Sequence, residues 1–403
     1  MWEGRRRVHA LCYQRNGRFA AGLLSVRELL HEQTMTSRER FAAAMARRAV
    51  DRVPIDLGAT SLTGISAGCQ ERLCDYLGIR GEAQPSNSGV DERILLWAGT
   101  DFRSVGGIVP LAGPLARVVS ERENVDCWGV RRRLVGGYWE IVESPLEGAT
   151  VEDLRAFPWP SPAVDGRLLD RWREDAKRLR GEGRFVVVGE HPVFGILELG
   201  CWMCGYGDFL ARIAADADFV RAFFDRYFAI QMEVVEQYYS ALAGYLDLTM
   251  SGDDFGMQTG PLISPSAFRA LVAPYFAERI KRTKTLACCL YWHHTCGSVV
   301  ALLDDIIACG VDILNPIQTS AAGMNPADLK SRYGDRIAFW GAVDVQDLMR
   351  TADPGTVTRE VTRLVRALGN GGGYVLAPAH NIQDDVPAEN VVAMVNSARA
   401  NGA

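Results

Sequence analysis

The sequence predicts an α/β fold, a closed (β/α)8 barrel of the TIM type, on three observations. From Phe185 onward, short β-branched runs alternate with segments of helical period. Polar, chemistry-bearing residues recur just past the ends of those runs, where barrels carry their sites. No Gly-x-Gly-x-x-Gly follows a strand and no Walker loop is present, so two nucleotide-binding halves fit less well.

In chain order, runs at 53–57, 105–109 and about 138–143 supply the first strands. Then come 185–189, 246–250, 286–292, 311–314, 337–340 and 374–377. Helical-period segments at 217–243, 264–284, 298–309, 325–332, 355–368 and 387–400 separate the later runs. Residues 121–165, with Trp128, Trp139 and the turn Phe157-Pro158-Trp159-Pro160, read as a β-hairpin excursion followed by a loop. Residues 35–403 are expected to form one catalytic barrel domain. Residues 1–34 read as an extension, with Met35 as the expected start: Thr36 caps a helix there and Glu39 completes a capping box.

At 403 residues and 48% hydrophobic, the chain can bury one large core. A net charge of −5 gives no electrostatic footprint for nucleic acid, and no run of 18 apolar residues crosses a bilayer. Small-molecule chemistry is the default. The 10 cysteines lack framework spacing, which suits reduced thiols in a cytoplasm, and no export signal is evident near the start.

His294-Thr295-Cys296-Gly297 follows the apolar run 286–292. On an extended segment residues i and i+2 point the same way, so the His294 imidazole and the Cys296 thiol can meet on one ion, a zinc half-site. On spacing alone the alternative is a polar strand end whose Cys296 packs as a small hydrophobe. Other strand ends carry Glu190-His191, Asp253-Asp254, Asn315 with Gln318, Asp344, and His380-Asn381. Each singly reads as a cap or turn, but together they read as a site. Cys201-Trp202-Met203-Cys204 has CxxC spacing without a second pair, and Cys288-Cys289 reads as packing inside a buried strand.

The chain resembles the uroporphyrinogen decarboxylase superfamily, which also holds corrinoid-dependent methyltransferases. The likeness is carried by Asp51-Arg52-Val53-Pro54, Thr100-Asp101-Phe102-Arg103, Gly252-Asp253-Asp254-Phe255-Gly256, His294-Thr295-Cys296-Gly297, Asn315-Pro316, Gly341-Ala342-Val343-Asp344 and Pro378-Ala379-His380-Asn381. Two departures choose the branch. After Arg52 no Arg or Lys occurs until Arg72, so the clamp that the decarboxylases use on porphyrinogen carboxylates is missing. The methyltransferase branch binds zinc through His-x-Cys and a late Cys; here His294 and Cys296 match and His380 stands at the late position.

The resemblance implies a zinc-dependent methyltransferase working between a methylcorrinoid and a thiol or tetrahydrofolate acceptor, with His294, Cys296 and His380 as ligands. Glu190 and Asp254 would hold the fourth position or orient a histidine. Gln258, Asn315, Gln318 and Asp344 are the expected cofactor-binding residues. The corrinoid is expected on a separate protein, because no Asp-x-His-x-x-Gly motif occurs. The alternative is a carboxy-lyase acting on a small acid, with Asp101 stabilising a cationic intermediate, Arg103 beside it and His380 moving protons. A homodimer is expected by resemblance.

Overall fold

The computed structural model describes residues 7–13, 19–25, 35–135 and 138–401. Arg7–Tyr13 pairs antiparallel with Phe19–Ser25; the rest of the expected extension lies outside the described residues. Thr36 caps the helix Ser37–Met45, and Glu39 closes the reciprocal capping box as expected.

Seven parallel strands form a ring. They are β1 (Phe102–Val105), β2 (Val186–Gly189), β3 (Leu248–Gly252), β4 (Leu290–His294), β5 (Ile313–Asn315), β6 (Ala338–Val343) and β7 (Tyr374–Pro378), each paired with the next in chain order. Residues 53–57 close the gap between β7 and β1. Asp56 N donates to Leu376 O, Leu376 N to Pro54 O, and Asp101 N to Ile55 O, each at 2.9 Å. Pro54 has no N–H to give, which keeps this eighth stave short. The α/β barrel is therefore complete, with helices such as Gly166–Glu182, Ala217–Leu242, Ala273–Ala287 and Ala388–Ala400 outside it.

Side chains fill the barrel, as the alternation of strands requires. Phe102, Val186, Val188, Met250, Trp292, Trp340 and Val375 point inward, and Phe41 packs against Phe102 and Trp340. Trp292 stacks on Trp340 with ring centroids 4.8 Å apart. Because Trp292 faces the interior, His294 two residues on does too, one layer nearer the C-terminal mouth.

Four strand expectations change. The first βα strand is 102–105, not 105–109, because Gly106 and Gly107 take φ of 81° and 157° and end it. Tyr138–Glu143 is no barrel stave; it is the last strand of a four-stranded antiparallel sheet with Arg117–Ser120, Glu123–Val125 and Arg131–Val135. The excursion is thus a sheet and not a single hairpin. Leu286 and Ala287 belong to a helix that ends at Cys288 in the left-handed region, so β4 begins at Leu290. Cys288 is exposed, not packed in a strand. No helix among the described residues is long and apolar enough to cross a membrane.

Candidate metal centre

His294 closes β4, and the chain then turns sharply. Thr295 N donates to Asn315 O at 2.7 Å and its hydroxyl accepts from Phe255 N at 2.9 Å. Gly297 completes the turn at φ 79°, where a Cβ would stand 2.6 Å from the Gly256 carbonyl carbon. Asp254 holds Cys296 from the β3 side, its Oδ1 accepting from Cys296 N at 2.7 Å. The result sets Cys296 Sγ 3.3 Å from His294 Nε2. His380, just past β7, comes to the same place, with its ring centroid 5.6 Å from that of His294. Nitrogen and sulfur ligand atoms of His294, Cys296 and His380 all lie within 4.8 Å of one another.

Neighbouring residues set the state of these atoms. Asn315 Nδ2 donates to Trp340 O at 3.2 Å, which turns its amide oxygen toward His294 Nδ1, 2.6 Å away. The Nδ1 of His294 therefore carries the proton and Nε2 is free to ligate. Burial, then the His294 charge, pushes His380 down to about 4, so it is neutral at physiological pH, as a ligand must be. Burial together with Asp254 and Glu198 pushes the Cys296 thiol far up, so a cation is needed to strip its proton. Two imidazoles and a thiol converging on one point fit zinc, a metal that takes mixed nitrogen and sulfur ligands.

The other expected site residues take varied places. Gln318 Oε1 accepts from Gly297 N at 2.8 Å, and Gln318 Nε2 reaches Gln258 Oε1 at 3.0 Å. Both glutamines thus brace the turn behind Cys296, and Asn315 fixes the His294 tautomer. Asp344 accepts from Asp347 N and Leu348 N at 2.7 and 3.0 Å, capping a short helix. Glu190 is buried at the mouth, held by Ser61 N at 2.8 Å and Ser61 Oγ at 2.7 Å.

Asp101 and Arg103 do not join this group. Asp101 precedes β1, at the opposite, N-terminal end of the barrel. Its carboxylate accepts from Arg40 Nη1 and Arg52 Nη1 at 2.7 Å each and from Ile55 N at 2.8 Å. The pocket role expected for it is therefore corrected to a buried structural anion. Arg103, next on the strand, points out of the barrel, pairs with Glu92 at 2.7 Å and lies over Phe185. In Cys201-x-x-Cys204 both thiols are buried and shifted up by burial, the opposite of a reactive pair.

Two carboxyls went unseen in the sequence. Glu198 stands in the first turn of the helix Ile196–Cys204, and burial beside Asp254 and Asp253 raises it to about 8. A first-turn acid directly after a strand-end loop was the available signal. Asp56, on the closing segment, is fully buried, accepting from Ala59 N and Trp340 Nε1 at 3.1 Å each. Burial raises it from 3.8 to about 7, so it is neutral in the fold where the unfolded chain ionises it. Its folded pKa is the higher one, so its stabilising share is full below 3.8 and is lost as pH rises through about 7. Asp56→Asn should therefore gain on the wild type between pH 4 and 8, by on the order of 4 kcal/mol. Urea unfolding at the two pH values reads this directly; a pH-independent difference would contradict it.

Residues 149–401 match the family described as Uroporphyrinogen decarboxylase (URO-D). The uroporphyrinogen decarboxylase of Serratia proteamaculans is 34% identical over 98 residues, 24% of this chain and 26% of that protein. That of Yersinia pestis is 33% identical over 98 residues, with the same shares. The chain thus matches about a quarter of the length of these curated relatives. A solved structure, "methyltransferase from Methanosarcina mazei", superposes with a TM-score of 0.62 at 18% identity, covering 91% of this chain and 99% of the other, a likeness of fold.

Proposed function

Because this chain belongs to the uroporphyrinogen decarboxylase family, we propose that it is a zinc-dependent methyltransferase of that family. In this reading it moves a methyl group between a corrinoid and an acceptor such as a thiol or tetrahydrofolate. The observation that carries the reading is the convergence of His294, Cys296 and His380 within 4.8 Å at the barrel mouth. Bound zinc would supply a Lewis acid that turns a thiol into a thiolate at neutral pH. The chain's own residues do the rest. Asn315 keeps the proton on Nδ1 of His294, Asp254 and Gln318 hold the Cys296 turn, and the packed Trp292–Trp340 layer closes the site from below. The corrinoid would come on a partner protein.

A carboxy-lyase is the second reading, and one observation favours it. Asn381 N donates to His380 Nδ1 at 2.8 Å, which leaves the proton of the neutral ring on Nε2, where it can be donated in a hydrogen bond to a substrate oxygen. Ligation through His380 Nε2 would require that hydrogen bond to be exchanged. Against the lyase, Asp101 stands at the far end of the barrel, bound by two arginines. The readings separate by experiment: about one zinc per purified chain and methyl transfer from methylcobalamin to thiols support the first. Protein that takes up no zinc, yet releases CO₂ from a small acid, supports the second.

Uroporphyrinogen itself should not be decarboxylated, since residues 53–71 offer no cation to its propionates and acetates. Chromatography of the porphyrins after incubation checks this, and coproporphyrin among the products would refute it.

A further inference from the structure

His294 and Cys296 share one turn, but His380 comes from β7 and needs a support of its own. The loop of residues 58–66, which follows the stave that closes the ring, lies against it and is built as a tight strap. Gly58 N donates to Thr63 O at 2.7 Å, and the fully buried Thr60 and Thr63 hydroxyls meet at 2.8 Å. The tip is Ser61 and Leu62. Ser61 is exposed, while Leu62 packs against the inward-facing cluster that contains Trp292 and Trp340.

The strap is stitched to the segment that carries His380. Asn381 Oδ1 accepts from Gly64 N at 2.6 Å, and Asn381 Nδ2 donates to Ser61 O at 3.0 Å. Ile382 N donates to Gly64 O at 2.9 Å, and Ser66 N donates to Ile382 O at 2.8 Å. Asn381 N in turn donates to His380 Nδ1 at 2.8 Å. From the β2 side, Glu190 takes both donors of Ser61, the N–H on Oε1 at 2.8 Å and the hydroxyl on Oε2 at 2.7 Å. Glu190 is itself a fixed post, buried, with its N–H donating to Val105 O on β1 at 2.9 Å. Its one ion-pair neighbour among the described residues is His191, whose Nδ1 is 3.9 Å away. Burial holds His191 down at about 3, so that ring is neutral, and the carboxylate relies on Ser61 for its partners.

We infer that Glu190 is a positioning residue of the metal centre: by holding Ser61 it sets the strap, and through Asn381 the strap sets the place of His380. This deepens the zinc reading and rests on it for His380 as a ligand. A carboxylate that takes the N–H and the hydroxyl of one residue on its two oxygens fixes that residue in rotation as well as in place. Ser61 then presents its carbonyl to Asn381, whose amide has one orientation that serves both Ser61 O and Gly64 N. The turn carrying Cys296 has separate braces in Asp254 and Gln318, so the effect of Glu190 falls on the β7 side of the triad alone.

Hydrogen exchange on the zinc-free protein tests the linkage without the metal. Glu190→Ala should speed exchange on the order of tenfold in both 58–66 and 379–383, and leave 294–297 unchanged. Acetate, which replaces the missing carboxylate, should restore slow exchange in both segments, and acetamide should not. Ser61→Ala, at an exposed position, folds whether or not Glu190→Ala does; it keeps the N–H bond and should speed the same two segments by about threefold. In zinc-loaded protein free of acetate, competition with a chelator should show affinity about tenfold weaker in Glu190→Ala. Unchanged exchange at 379–383 in either variant, no restoration by acetate, or unchanged zinc affinity overturns the inference. A wild type that takes up no zinc, with the exchange pattern as expected, defeats the metal reading alone and leaves the linkage from Glu190 to His380 standing.

Discussion

Cys296→Ala is expected to lose its zinc. Cys296 is the one sulfur donor in the triad and the only member that binds as an anion, so its removal takes away charge as well as a ligand. Affinity should fall well over 100-fold, beyond the 10–100-fold typical of losing a supporting residue, and methyl transfer should fall with it. Asn315→Ala should fall in the supporting range, since it loses only the acceptor that fixes the His294 tautomer at 2.6 Å. Metal analysis after dialysis against a chelator ranks the three proteins. Cys296 is only partly buried, so its variant should keep a thermal midpoint near that of the zinc-free wild type. If Cys296→Ala holds zinc as the wild type does, the centre lies elsewhere.

Asp101→Ala is expected to carry the largest cost in stability, about 3–5 kcal/mol, the range for breaking a buried ion pair by removing one partner. Asp101 and Arg40 are fully buried, and Arg52 nearly so. Without the carboxylate, two guanidiniums face each other at the barrel's closed end, and Arg40 keeps Asp51 at 2.7 Å as its one carboxylate, with Met35 O as its other acceptor. Ile55 N loses its acceptor too, which loosens the stave that closes the ring. Denaturant unfolding reads the cost, and zinc bound per folded molecule reads the site. Full stability combined with lost activity would return Asp101 to the catalytic role that its position denies.

Much of this was legible in order and period. The alternation of strands and helices from Phe185 on announced the barrel, because period 2 and period 3.6 reflect local backbone geometry. Where prediction slipped, local chemistry was ambiguous. The run Leu286–Trp292 is apolar throughout, so nothing marked the helix end at Cys288. The side sheet has short strands whose turns, at Glu121-Arg122 and around Gly129, resemble loop.

By itself the sequence determined the barrel and the pairing of His294 with Cys296, since both rest on strand period and on neighbours within the chain. Only the tertiary structure decided that His380, 84 residues beyond Cys296, comes within 4.8 Å of the other two ligand atoms. It also decided that Asp101 does not. Asp-Phe-Arg reads alike whether the aspartate enters a strand or leaves it, and in a barrel those two ends lie on opposite faces. The physical reason is ring closure: which residues share a mouth depends on the direction and register of strands far apart in the chain, and composition near each residue does not encode them.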